Sequence, residues 1–153
     1  MKRSLYFLSV LALAMTLTSA CGDQGKGKAV TQLPLIKEAP EFSGTSQHGR
    51  AVTQADVRGN VYLVYFFFTS CSGPCPVMNS KANVLQAAYA DAKDFRIVGF
   101  SVDPGNDTVE RLARYADRYS ARHGRWYMLR NSEQEVAGLA SKGYMLGDAS
   151  APT

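Results

Sequence analysis

Two uninterrupted apolar runs stand near the middle of the chain, Val61-Tyr-Leu-Val-Tyr-Phe-Phe-Phe68 and Ile97-Val-Gly-Phe-Ser-Val102. Runs of this length without polar alternation suit strands covered on both faces. Between them, from Met78 onward, Ala82, Leu85 and Tyr89 recur at helical spacing, which predicts a helix with one face on the sheet. After the second run, Asp107 and Glu110 are spaced as a capping box, ahead of a helix whose apolar side is Val109, Leu112 and Ala116. The cycle repeats with a short strand, Trp126 to Leu129. A helix capped by Ser132 and Glu135 then carries Val136, Leu139 and Ala140 until Gly143 stops it. Ahead of all this, Phe42 to Asp56 reads as a hairpin that turns at His48-Gly49. Alternating strands and helices predict an α/β fold: a mainly parallel sheet with flanking helices, right-handed crossovers and an N-terminal hairpin.

The pattern is different at the start of the chain. Lys2 and Arg3 precede an apolar run from Leu5 to Leu17, too short to span a bilayer and of the right length for a secretory signal core. The run stops at Thr18-Ser19-Ala20-Cys21, which resembles the signal of bacterial lipoproteins, in which the cysteine is lipidated and becomes the new N-terminus. This divides the chain into a signal peptide at 1–20, a flexible tether at 21–38 and one domain at 39–153. It predicts an exported, membrane-anchored lipoprotein facing the bacterial periplasm or the cell exterior, with Cys21 as the lipidation site. Ordinary cleavage after Ala20, leaving a free thiol, is the alternative. Of the 17 basic residues two lie in the leader, and none of the 13 acidic ones do, so the overall +4 falls to +2 for the remainder. No Lys/Arg cluster interleaved with aromatics is present to follow a phosphate backbone, and nucleic acid is not an expected partner.

The chain has three cysteines. If lipid accounts for Cys21, Cys71 and Cys75 remain as a pair. Cys71 follows the first strand, and Cys75 precedes Pro76, whose ring disfavours a helical Cys75 but fits the first helical position. Cys75 is therefore predicted as an N-cap. The partial positive charge of a helix N-terminus lowers a nearby thiol pKa, so both sulfurs are expected to be nucleophilic. Gly73 and Pro74 favour a tight turn that brings the sulfurs together, for a bond to each other or to a shared ion. A purely stabilising disulfide would close too short a loop to restrict the unfolded chain much. Redox or metal chemistry explains the dithiol better. Two soft thiolates are too few for tetrahedral zinc or an iron–sulfur cluster, whereas Cu(I) accepts low coordination.

These residues also carry a family resemblance. Thr69-x-Cys71-x-x-x-Cys75-Pro76 after an aromatic-rich strand, then Ser101-Val102-Asp103-Pro104 with Asp107-Thr108, and finally Trp126-Tyr-Met-Leu129, is similar to the Sco/SenC family over roughly Phe42 to Gly147. The resemblance implies a thioredoxin-like fold and copper, Cu(I) or Cu(II), held by Cys71, Cys75 and a distant histidine. It also implies a role in assembling the dinuclear copper site of cytochrome c oxidase, with the oxidase copper-site subunit or another copper protein as partner. Ser72 stands where the family commonly has proline. The family's histidine follows the last helix, where this chain runs Gly147-Asp-Ala-Ser-Ala-Pro-Thr153, so the third ligand and the terminal hairpin and helix are expected to be missing. His48, at the expected turn, and His123, before Gly124, suit solvated turn and helix-end positions better than ligation.

Three function classes compete: a copper-binding assembly factor; a membrane-tethered thiol-disulfide oxidoreductase acting on cysteines of the oxidase or other exported proteins; and, a distant third, a peroxiredoxin-like peroxidase. On the first reading the protein is a metallochaperone, on the second an enzyme. Phe66, Phe67, Phe68 and Trp126 are expected in the core. Asp103 is expected either near the site or capping the turn that follows it. No phosphate loop, catalytic carboxylate pair or Ser-His-Asp arrangement is visible.

Overall fold

The computed structural model of the protein describes residues 34–147. The chain falls into two units, Met1–Lys37 and Glu38–Thr153. Of the first, only 34–37 are described, and they form neither helix nor strand. The signal run, Cys21 and most of the tether lie outside the described residues.

The second unit begins with the expected hairpin, β1 (Ser43–Ser46) and β2 (Ala51–Thr53), closed by Gly49 at φ +72°. A short 3-10 turn, Gln54–Asp56, leads to β3 (Val61–Phe67), α1 (Pro74–Ala88), β4 (Phe95–Ser101), α2 (Val109–Arg118), β5 (Trp126–Arg130) and α3 (Glu133–Gly138). The chain after α3 makes one wider turn, Leu139–Gly143. The five strands form one sheet in the order β2-β1-β5-β4-β3. β3, β4 and β5 are parallel, in register from Val61↔Phe95 to Phe67↔Ser101 and from Ile97↔Trp126 to Phe100↔Leu129. β1 joins β5 antiparallel.

Alternation along the strands sorts side chains onto two faces. Phe67, Ile97, Trp126 and Met128 pack under α1 and α2 with Ala82, Leu112, Tyr115 and Ala116. Val98, Phe100 and Leu129 pack on the other side with Phe42, Val52, Val136 and Leu139. Two successive crossovers of one hand place α1 and α2 on the same face.

Three expectations are corrected. β4 is buried almost throughout, but β3 is mostly half-buried and Val61 is 69% exposed. Among the described residues β3 pairs only with β4 and forms the edge of the sheet. Second, the inward face of α1 is Cys75, Asn79, Ala82 and Gln86, while Leu85 and Tyr89 sit at its rim. Hydrophobic spacing misplaced this face because two of its four positions are amides. Both amides are bonded: Gln86 Nε2 donates to the Ser120 carbonyl and Gln86 Oε1 accepts from Arg122 N–H, which ties α1 to the end of α2. Third, the N-cap of α2 is Thr108, whose side chain accepts from Arg111 N–H, and not Asp107. The Ser132–Glu135 capping box of α3 forms as expected.

Candidate functional site: a dithiol at the start of α1

β3 and β4 deliver their carboxyl ends to one side of the sheet, and the loop 68–73 runs from there into α1. The N-cap is Gly73, with Pro74 opening the helix, so Cys75 lies inside the first turn rather than at the cap. That two-residue difference turns Cys75 inward to 4% exposure. Cys71 lies outside the helix, half-buried, where a turn from its N–H to the Phe68 carbonyl (3.2 Å) holds it. Both are free thiols.

The two sulfurs are neighbours but not equivalent. The Cys75 thiol donates to the Cys71 sulfur, and the N–H groups of Cys75 and Gly73 point at it as well, so the Cys71 pKa is lowered. Burial pushes the Cys75 pKa up, and its bond to Cys71 favours the protonated form further, while Phe68 N–H opposes this. The expectation of two nucleophilic sulfurs is therefore corrected to one exposed thiolate-prone sulfur backed by one buried thiol.

Two polar networks hold this arrangement in place. Asp107, fully buried, accepts from Thr69 N–H (3.2 and 3.3 Å to its two oxygens), from the Thr69 hydroxyl (2.5 Å) and from the Ser101 hydroxyl (2.5 Å). One carboxylate thus fastens the loop before Cys71 to the end of β4 and the start of α2. Behind Cys75, Trp126 Nε1 donates to the Tyr65 hydroxyl (3.0 Å), which donates to Asn79 Oδ1 (2.8 Å). Asn79 Nδ2 in turn donates to the Cys75 carbonyl (2.8 Å) and to the Tyr115 hydroxyl (3.2 Å). The Tyr65 ring lies across β4, where a Cβ on Gly99 would come within 2.6 Å of it. Only glycine leaves that space. Phe67 and Tyr115 stack at 5.6 Å beside the network. Burial raises the pKa of both Tyr65 and Tyr115, which keeps both hydroxyls protonated and neutral.

Asp107, Asn79, Tyr65 and Gly99 were not predicted as site-building residues. The spacing of Asp107 to Glu110 disguised a buried brace as a helix cap. Asn79 was detectable in principle, as a polar residue four positions after Cys75 on what becomes the inward face. Asp103 takes the turn role: Asn106 Nδ2 bonds both its carboxylate oxygens (3.0 Å each), and its carbonyl accepts from Asp107 N–H. Phe67 and Trp126 are buried as expected, with Phe66 and Phe68 packed against the two core faces.

The histidines are elsewhere. His123 precedes the amino end of β5, and His48 occupies the β1–β2 turn beside it, with the rings 4.8 Å apart. The length of β5, roughly 13 Å at ~3.3 Å per residue, separates them from the dithiol end. Neither reaches the sulfurs. Among the described residues no group of three or more His, Cys, Asp or Glu side chains is placed to hold a metal ion. The donors that the described residues bring to the site are two sulfurs, which suit Cu(I).

A parallel β–α–β–α–β sheet carrying a dithiol where the first strand passes into its helix defines a thioredoxin-like protein. The SCO1/SenC family model matches residues 31–148, and the chain belongs to that family. A SCO1 homolog of Bacillus subtilis is 34% identical over 127 residues, covering 82% of this chain and 63% of the relative, so the chain spans less than two thirds of that protein's length. Among solved structures, BsSco, described as having a disulfide switch and as a member of the Sco family of cytochrome c oxidase assembly proteins, is 34% identical with TM-score 0.66. The match covers 73% of this chain and 67% of that one. Bradyrhizobium japonicum ScoI, solved with copper bound, is 27% identical with TM-score 0.63, covering 76% and 73%.

Proposed function

We propose that the protein is an exported copper-binding factor that takes up Cu(I) at Cys71 and Cys75 and assists assembly of the dinuclear copper site of cytochrome c oxidase. The observation that carries this reading is the convergence of two free sulfurs on a braced loop at the helix start. Family membership, copper in one relative and oxidase assembly in another support it. Copper is here the cargo. Cys71, open on one side, is the sulfur a partner reaches first, and Cys75 retains the ion from below. Both must lose their protons to bind, so affinity falls on acidification. The test is anaerobic titration of the reduced protein against a Cu(I)-specific chelator. One equivalent should bind, and the Cys71→Ser, Cys75→Ser variant should lose affinity by about 10³-fold or more, roughly 4 kcal/mol. A double variant that holds Cu(I) as tightly as the parent defeats the assignment.

The unlike environments of the sulfurs favour a second reading, thiol-disulfide exchange. The Cys71 thiolate attacks one sulfur of a target disulfide and the target's other sulfur leaves as thiolate. Cys75 then gives up its proton and attacks the Cys71 sulfur, releasing the second target thiol. Two electrons pass to the target and this chain is left as the Cys71–Cys75 disulfide. A Cys75→Ser variant should accumulate the mixed disulfide at Cys71.

The leader motif supports anchoring by lipid at Cys21, on the outer side of a bacterial membrane. The protein should take up labelled fatty acid and fractionate with membranes. A Cys21→Ser variant that stays membrane-bound would point to an uncleaved signal instead.

A further inference from the structure

The two histidines of the chain, 75 positions apart in sequence, face each other at the end of the sheet away from the dithiol. We propose that His48 and His123 form a second metal site, a bis-imidazole seat for a divalent transition-metal ion, Cu(II) in preference to Ni(II) or Zn(II).

The ring separation matches that of two imidazoles sharing one ion. A metal at about 2.0–2.1 Å from an imidazole nitrogen lies about 3.2 Å from the ring centroid, so two imidazoles meeting at about 90–109° have centroids about 4.5–5.2 Å apart. The observed separation is 4.8 Å and the ring planes are tilted by 49°, not stacked. Both rings are exposed and open into a cleft of about 50 Å³ whose walls include Ser46, Arg50, Asp56 and Tyr127. That volume accommodates an ion with a few waters completing its shell. Arg50 repels a dication, and Asp56 offsets it. Thr53 N–H and hydroxyl bonds together with Arg50 lower the Asp56 pKa, so this carboxylate stays ionised.

The pair is held in position before any ion arrives. The turn bearing His48 is closed by Ser46 N–H to the Arg50 carbonyl (2.8 Å) and Gly49 N–H to the Ser46 carbonyl (2.9 Å). The adjacent Gln47, 2% exposed, locks that turn to β5, its amide donating to the Trp126 carbonyl (2.8 Å) and accepting from Met128 N–H (2.9 Å). On the facing loop, Arg122 N–H is held by Gln86, and the Tyr127 hydroxyl donates to the Gly124 carbonyl (3.1 Å). Each histidine is followed by a glycine in the left-handed region, Gly49 at φ +72° and Gly124 at φ +73°, which turns the chain back and leaves the ring at the loop tip. Two preset imidazoles bind one ion as a chelate, and neutral nitrogen donors favour Cu(II) at the top of the stability order for divalent metals.

This site stands independently of the dithiol reading, and the experiment separates them. The full chain with Cys21→Ser, Cys71→Ser and Cys75→Ser is titrated with Cu(II) in the presence of glycine as a weak competing chelator, followed by electron paramagnetic resonance and sedimentation. One Cu(II) per chain should bind with nitrogen hyperfine splitting from two imidazoles, and the protein should remain a monomer. His48→Ala or His123→Ala should each lower affinity by about 10²-fold, the chelate gain of two linked donors. Both side chains are exposed, so these variants keep the fold. The proposal is overturned by absence of Cu(II) binding in the cysteine-free chain, by equal affinity when both histidines are replaced, or by metal-driven dimerisation that shows single imidazoles bridging two copies.

Discussion

The parallel strands carry potential metal ligands at both ends, and the two ends are built on different principles. At the carboxyl end, Cys75 is buried against the core and Cys71 rests on a loop that a buried carboxylate ties down. Packing and internal hydrogen bonds there make two chemically identical thiols differ in proton affinity. At the amino end, His48 and His123 lie in water on loops shaped by glycine and backbone bonds, and Gln47, Gln86 and Tyr127 tie those loops to the core. Soft sulfur inside the fold and borderline nitrogen outside it suit different copper oxidation states. Position relative to the core, as much as residue type, sets what each pair can do.

The strongest blow to this contrast is removal of the brace. Asp107→Ala leaves the Thr69 N–H and hydroxyl and the Ser101 hydroxyl without their acceptor, and should lower unfolding stability by about 2–4 kcal/mol. Denaturant titration checks this. The His48–His123 separation should be untouched, so a loss of order at both ends would show that they are not independent. Gly99→Ala comes next: a methyl pressed on the Tyr65 ring should cost about 1–3 kcal/mol and shift the Tyr65–Asn79–Cys75 network. Thermal melting and the near-ultraviolet signal of Trp126, which donates to Tyr65, report on both.

A smaller effect sharpens the difference within the dithiol. A group with a lowered pKa is already charged at a pH where a group with a raised pKa is still protonated. Alkylation of reduced protein should therefore label Cys71 first as pH rises, with Cys75 at least about tenfold slower at neutral pH, a difference of about 1.4 kcal/mol. Mass mapping of the modified cysteine over a pH series measures it. Equal rates for the two would remove the asymmetry on which the exchange mechanism rests. The smallest effect is at the amino end: replacing both His48 and His123 by alanine in metal-free protein should change stability by no more than about 0.5 kcal/mol, as is usual for exposed side chains.

What the sequence by itself determined is what depends on local chemistry. The hairpin at His48-Gly49, the order of strands and helices, the Ser132–Glu135 cap and the pairing of Cys71 with Cys75 follow from turn residues, spacing and near neighbours in the chain. The inward face of α1 did not follow, because Asn79 and Gln86 are satisfied in part by partners 34 to 36 residues away, Ser120, Arg122 and Tyr115. Asp107 could not be told from a cap until β3 and α2 met, since its bond to Thr69 spans 38 positions. The lone apolar run of β3 could not say whether it lies inside the sheet or at its edge. The meeting of His48 with His123 was equally invisible, for each is an ordinary turn residue in its own segment. A local pattern records the propensities of a segment, whereas burial, proton affinity and proximity are set by what the rest of the chain brings against it.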